Sequence, residues 1–261
     1  MALLPGCGGA KAEAERPKPQ IAGPPYCGAP QPRTDLRACR LVGALLAKAD
    51  LSGADLRGVD LQRADLSGAN LTGARAARAN FDGARLAGAI LRGAHFERAT
   101  LRDADLRGTD ATEAVFQQAD LTRAALDGAT LRQADLLEAR LTAARLRRAD
   151  LSGANLAGVE GSRVDATGAS FERAFLQRAV FPQARFDEAR MQAANLAQAL
   201  FDQTTFAHAD LRRAYLYETS LFEARLDYAN LRDAVLIRPN VWNAVLHTAL
   251  GLPAWATVGI D

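Results

Sequence analysis

The sequence predicts a solenoid whose chain turns a corner once every five residues. Three observations predict it. Leucine or another apolar residue returns at every fifth place from Leu36 to Leu246, and the phase never slips. A small residue, usually alanine, stands two places before each of these centres. The remaining three places are mostly Asp, Asn, Arg, Ser, Thr, Glu or Gly.

Neither regular element buries such a pattern. In an α-helix five residues advance about 500°, so the apolar site would drift around the axis. Glycines such as Gly53, Gly58, Gly68 and Gly73 would weaken the helix further. In a flat strand side chains alternate with period two, so successive leucines would face opposite ways. A corner in every repeat points leucine and alanine inward each time and the other three residues outward.

The centres run through Leu51, Leu56, Leu61, Leu66 and Leu71, with Phe81 and Phe96 beyond. Small residues interrupt them at Ala76, Ala111, Gly161 and Ala166. Later the centres turn aromatic at Phe171, Phe181, Phe186, Phe201 and Phe206, with Met191 among them. Gly161 and Ala166 lie in adjacent repeats, which predicts an indented coil. Gly161 reads either as a bend between two stacked halves or as drift that its neighbours absorb. Alanine variants two places before the centre include Val59, Thr109, Val159, Val164, Thr204, Thr219 and Pro239.

Units such as "ADLSG", "ADLRG" and "ANLTG" resemble the pentapeptide-repeat family, whose motif is A(D/N)LXX. The resemblance implies an all-β fold, a right-handed quadrilateral parallel β-helix with four repeats per coil and about twenty residues per turn. About eleven coils stacked at about 4.8 Å would make a rod on the order of 50 Å long. The expected divisions are a Pro/Gly-rich N-terminal tail or tether at 1–33, the β-helix at 34–248, and a C-terminal cap or dimer segment at 249–261. A solenoid has two open ends with unpaired strand edges, which something must cover. The C-terminal segment is apolar, and Trp242, Leu250, Leu252 and Trp255 are its candidate cap or dimer contacts.

Composition narrows the function. Of 261 residues, 49% are apolar but only 6% aromatic, which fits a narrow core of leucine and alanine. Lys and Arg number 32 against 30 Asp and Glu, a net charge of +2, so direct nucleic-acid binding is not expected. The apolar runs are too short to span a bilayer. His95 and His208 fall on different faces, and neither they nor His247 has a partner at metal-ligand spacing. Glycine follows the repeat and forms no phosphate loop. No catalytic residue, metal site or cofactor is expected, and the chain is read as a non-catalytic scaffold for a protein partner.

Two narrower readings stand beside the scaffold. Some pentapeptide-repeat proteins bind type II topoisomerases, DNA gyrase above all and also topoisomerase IV, and protect bacteria from topoisomerase poisons. The resemblance carries that possibility here, along with a homodimer made through the C-terminal segment. The charges run against it. One face mixes Asp50, Asp110, Glu113, Asp150, Glu172, Asp210 and Asp233 with Arg92, Arg132, Arg173, Arg190, Arg212, Arg213 and Arg232. Arg145, Arg147 and Arg148 form a basic cluster, and Asp103, Asp120 and Glu160 form the best local acidic patch.

The other reading concerns the cysteines Cys7, Cys27 and Cys39. "LPGC" resembles the end of a bacterial lipoprotein signal, with Cys7 the candidate lipidation site. Cys27 and Cys39 are then a candidate disulfide in an oxidising periplasm. Only six residues precede Cys7, too few for a signal unless translation starts upstream. As written the chain is expected in the cytoplasm, with a lipid-anchored or exported envelope protein as the alternative. On the cytoplasmic reading the N-terminal segment is a plain tail and Cys39 only a small inward residue.

Overall fold

A computed structural model describes residues 20–22, 27 and 30–252. The described chain is a right-handed quadrilateral parallel β-helix with no α-helix. Residue i bridges residue i+20 in parallel from Asp35↔Asp55 to Asn230↔Leu250. A turn every five residues therefore gives four corners per coil. Most rungs are single bridges; β3 (Tyr215–Tyr217) and β4 (Val235–Ile237) widen into a three-residue parallel pair.

A repeat with Asp or Asn before its centre accounts for every backbone N–H it contains. Between Leu51 and Asp55, Leu51 N donates to Asn70 O at 2.7 Å and Gly53 N to Thr72 O at 2.8 Å, both on the next coil. Asp55 N donates backwards to Thr34 O at 2.9 Å, and Ala54 N closes the turn on Leu51 O at 3.0 Å. The fifth donor, Ser52 N, is taken by the Asp50 carboxylate at 3.0 Å. Asp and Asn before the centre are thus acceptors for the corner backbone. A bonded pair is worth about 0.5–1.5 kcal/mol net, while a buried donor left without a partner costs more.

The corner has a second requirement. Every fifth residue from Gly43 to Asn243 has positive φ, between 49° and 71°. That is the left-handed region, natural at the third place of a type II turn and easy for glycine. Arg, Gln, Glu and even Ala143 and Ala193 occupy most of these places. From Gly43 to Glu223 the N–H of each such residue bonds to a carbonyl of the next coil, as in Arg63 to Asp82 O at 3.0 Å.

Leucine centres and their preceding alanines are buried along the axis, with Ala49 and the last coil's Ala234, Leu236, Val241, Ala244 and Ala249 partly so. The aromatic centres stack within a column and meet edge-on between columns. Phe181 and Phe201 are parallel with centroids 5.8 Å apart, and Phe186 and Phe206 lie 5.4 Å apart. Phe181 meets Phe186 edge-on at 5.3 Å. Threonines in the alanine column donate their hydroxyls to carbonyls: Thr204 to Phe181 O at 2.6 Å and Thr219 to Leu196 O at 2.9 Å.

The indentation expected at Gly161 is filled. Gly161 N still donates to Val180 O at 2.7 Å, so the ladder passes through without a break. A Cβ at Gly161 would overlap Cδ1 and Cε1 of Phe181, which comes from the next coil of the same column. The absent side chain is the space the ring uses. Ala166, the other small centre, likewise has a phenylalanine, Phe186, twenty residues on in its column.

The N-terminal segment departs from the tether reading. β1 (Gln20–Ala22) pairs antiparallel with β2 (Arg40–Val42) on the first coil, in the register Gln20↔Val42, Ile21↔Leu41 and Ala22↔Arg40. The first coil has no predecessor, so its outward donors need another partner, and β1 is placed to supply it. At the other end the ladder reaches Leu250, beyond the expected boundary at 248.

Two substitutions of opposite sign test this packing. Gly161→Ala should destabilise by about 1–3 kcal/mol through overpacking, and Phe181→Leu in that background should recover part of the loss. Ala193→Gly should raise stability by about 0.5 kcal/mol, because relief of left-handed strain exceeds the entropy glycine adds to the unfolded chain. Urea midpoints measure both.

Candidate protein-binding surface

Outward side chains fall into columns with a twenty-residue step, and ion pairs run along and across them. On the face of mixed charge, Arg92 pairs with Asp110 at 3.6 Å, Arg132 with Asp150 at 3.4 Å, Arg190 with Glu172 at 3.2 Å and Arg212 with Asp210 at 2.7 Å. The acidic patch of Asp103, Asp120 and Glu160 is neutralised in the same way. Arg123 meets Asp103 at 2.6 Å, Arg102 meets Asp120 at 2.7 Å and Arg140 meets Glu160 at 3.8 Å. In the basic cluster, Arg145 is held by Asp127 at 2.9 Å and Arg147 by Asp165 at 2.6 Å. Exposed pairs of this kind contribute about 0–1 kcal/mol each, so they set surface potential more than stability.

The carboxylates before the centres carry the clearest shifts. Hydrogen bonds from Arg57 and Arg107 hold Asp55 and Asp105 below the ordinary carboxylate range. Burial pushes Asp120, Asp150, Asp165 and Asp210 up. Hydrogen bonds from the residue two places on (Thr122, Ser152, Thr167 and Arg212), joined by Arg102 at Asp120, Arg132 at Asp150, Arg147 at Asp165 and Gln192 at Asp210, outweigh it and hold all four below that range.

One part of the surface lacks charge. Phe175, Asn195, Tyr215 and Val235 form one column of successive rungs, and Gln177, Ala197, Tyr217 and Ile237 form the corner beside it. Phe175, Tyr215, Val235 and Ile237 are each about 40–50% exposed, and the Tyr215 and Tyr217 rings lie parallel at 6.3 Å. Arg238 borders this area, its guanidinium over the Tyr217 ring at 5.3 Å and paired with Glu218. Further round the same coils, Trp242 stacks on Phe222 at 5.2 Å and Tyr228 on His208 at 5.1 Å.

The residues singled out from sequence are placed as follows. Cys27 and Cys39 are joined as a disulfide, with Cα atoms 5.6 Å apart, and both are buried. Leu252 packs against the end of the core and Leu250 sits on the last rung, partly exposed. Trp242 is 63% exposed on a corner, so it does not plug the core. Cys7 and Trp255 lie outside the described residues. Among the described residues no group of three His, Cys, Asp or Glu could hold a metal ion, and no helix is long and apolar enough to cross a membrane.

A family model described as pentapeptide repeats matches eight copies across residues 34–73, 79–118, 119–158, 144–183, 162–198 and 184–227. The chain belongs to the pentapeptide-repeat family. Among solved structures it is similar to HetL, a pentapeptide repeat protein involved in heterocyst differentiation regulation in the cyanobacterium Nostoc sp. strain PCC 7120. Identity is 30%, coverage 75% of this chain and 88% of that one, and the TM-score 0.51. It also matches QnrB1, a plasmid-mediated fluoroquinolone resistance protein, at 15% identity over 67% of this chain and 90% of that one, with a TM-score of 0.48. A pentapeptide repeat protein of the Arabidopsis thaliana thylakoid lumen is 31% identical over 41% of this chain and 68% of that one, with a TM-score of 0.30. No protein of curated function matches the sequence.

The depressed carboxylates make stability depend on acid. A folded-state pKa below the unfolded value of about 3.9 contributes stability that is present above pH 4 and lost as pH falls through the folded value. The urea midpoint should be flat from pH 7 to about pH 5 and fall steeply by about pH 2.5. Asp165→Asn should flatten that fall in part. An unchanged midpoint at low pH would contradict the role given to these carboxylates.

Proposed function

We propose that this pentapeptide-repeat protein is a non-catalytic scaffold that binds a protein partner through the uncharged face of its last coils. One observation carries the reading: on the last coils the uncharged column of Phe175, Asn195, Tyr215 and Val235 and the corner beside it at Ile237 together expose four large apolar or aromatic side chains, Phe175, Tyr215, Val235 and Ile237. A contiguous exposed apolar area on a soluble surface marks an interaction site. The partner that fits is a protein with a flat, apolar, uncharged face of its own. The likeness to HetL, whose part in differentiation is regulatory, suits a chain that acts by binding.

Gyrase or topoisomerase IV is the alternative partner. A DNA-like rod would need a face of unpaired anions, since duplex DNA carries a charge every 1.7 Å or so. Here the acidic groups of the best candidate patch each have an arginine. Little inhibition of gyrase supercoiling, and no rescue from a topoisomerase poison, is therefore expected at physiological salt. Potent rescue would favour the topoisomerase reading over the apolar face.

The apolar face has its own test. A photo-crosslinking amino acid at Tyr215 or Ile237, in cells of the native host, should give the same discrete adduct with another protein. The same group at Thr130, on another face, should give none. Adducts only with a second copy of the chain, or equal labelling at all three positions, would overturn the proposal.

A further inference from the structure

The geometry points to the Cys27–Cys39 disulfide as a redox-controlled clamp that closes the N-terminal end of the solenoid. In an inner repeat the N–H before the centre bonds to the preceding coil, as Asp55 does to Thr34. Where Asp or Asn stands before the centre, its side chain also takes the N–H after the centre, as Asp50 takes Ser52 N. At the first coil both arrangements fail together. Arg40 has no preceding coil, and because Arg40 replaces Asp or Asn, Val42 has no side-chain acceptor two places back. β1 faces these two residues, with Ala22 opposite Arg40 and Gln20 opposite Val42. It stands where a preceding coil would stand, but runs antiparallel.

A three-residue strand is too short to hold such a place alone. The disulfide supplies what the pairing lacks. Cys39 adjoins Arg40 at an alanine position, and Cys27, 1% exposed, packs into the core cluster with Leu36 and Leu41. The bond crosses the loop between β1 and β2 close to the pairing, so β1 returns to the edge through a short covalent path. It also keeps Cys27 as a plug on the end of the core. Reduction by a dithiol breaks the Cys27–Cys39 bond, leaves two thiols, and forms the reductant's own disulfide from its two electrons and two protons. β1 is then released, and the edge of Arg40–Val42 opens to solvent or to another strand.

Hydrogen–deuterium exchange on the full chain tests this. With the disulfide intact, the backbone amides of Arg40 and Val42, which face β1, should be protected. With dithiothreitol their exchange should rise roughly tenfold or more, while coils beyond Leu61 stay unchanged. Cys39→Ala, which restores the residue usual at that place and so keeps the coil, should match the reduced protein and ignore dithiothreitol. Protection of Arg40 and Val42 that survives both reduction and Cys39→Ala would overturn the clamp, whereas Leu41, whose N–H bonds to Asp60 O on the next coil, should stay protected throughout. So would a rise spread through every coil, because the bond would then hold the whole fold and not its end.

Discussion

The structure depends on the hydrogen-bond ladder between coils that starts at the left-handed corner residue. The corner alone is unfavourable, because most of its residues are not glycine and sit at positive φ. It becomes favourable when its N–H finds a carbonyl nineteen residues on, as Gly53 finds Thr72. No repeat can gain that bond by itself. Each coil is stable only against its neighbours, so the rod behaves as a one-dimensional array whose ends are its weak points. The disulfide-held β1 at one end and Leu252 against the core at the other answer that weakness.

This architecture frees the outer surface. Burial is done by Leu, Phe and Ala inside, and backbone satisfaction by Asp and Asn at the corners. The remaining outward places can change without cost to the coil. Where they carry charges, many of these cancel in pairs, which leaves a surface with little net field. Against that background the uncharged columns from Phe175 to Ile237 stand out. They coincide with the widening of the ladder into β3 and β4, where Tyr, Val and Ile suit a flat pleated strand.

Much of this was legible in the sequence. The unbroken phase from Leu36 to Leu246 separates inward from outward residues, and the structure buries nearly all of those centres. The role of Asp50 and its equivalents was missed, since an outward carboxylate looks like a surface charge until the free N–H two places on is counted. Gly161 looked like a defect because its partner, Phe181, lies twenty residues away; complementarity between coils appears only when the sequence is wrapped. The same wrapping, applied to apolar outward residues, would have found the column of Phe175, Tyr215 and Val235. The pairing of β1 carried no periodic signal, and its prolines favoured an extended tether instead.

The central claim is that the unit of stability is the coil of twenty residues, kept in phase by fives. It is tested most directly by comparing two insertions between Gly108 and Thr109. One is a single alanine. The other is a complete coil, a second copy of residues 89–108. The account predicts that the complete coil leaves a cooperative unfolding transition at or above the original midpoint. The single residue should break the ladder between coils and abolish or greatly weaken that transition. If the single residue were tolerated as well as the complete coil, neither the phase nor the ladder would be holding the fold.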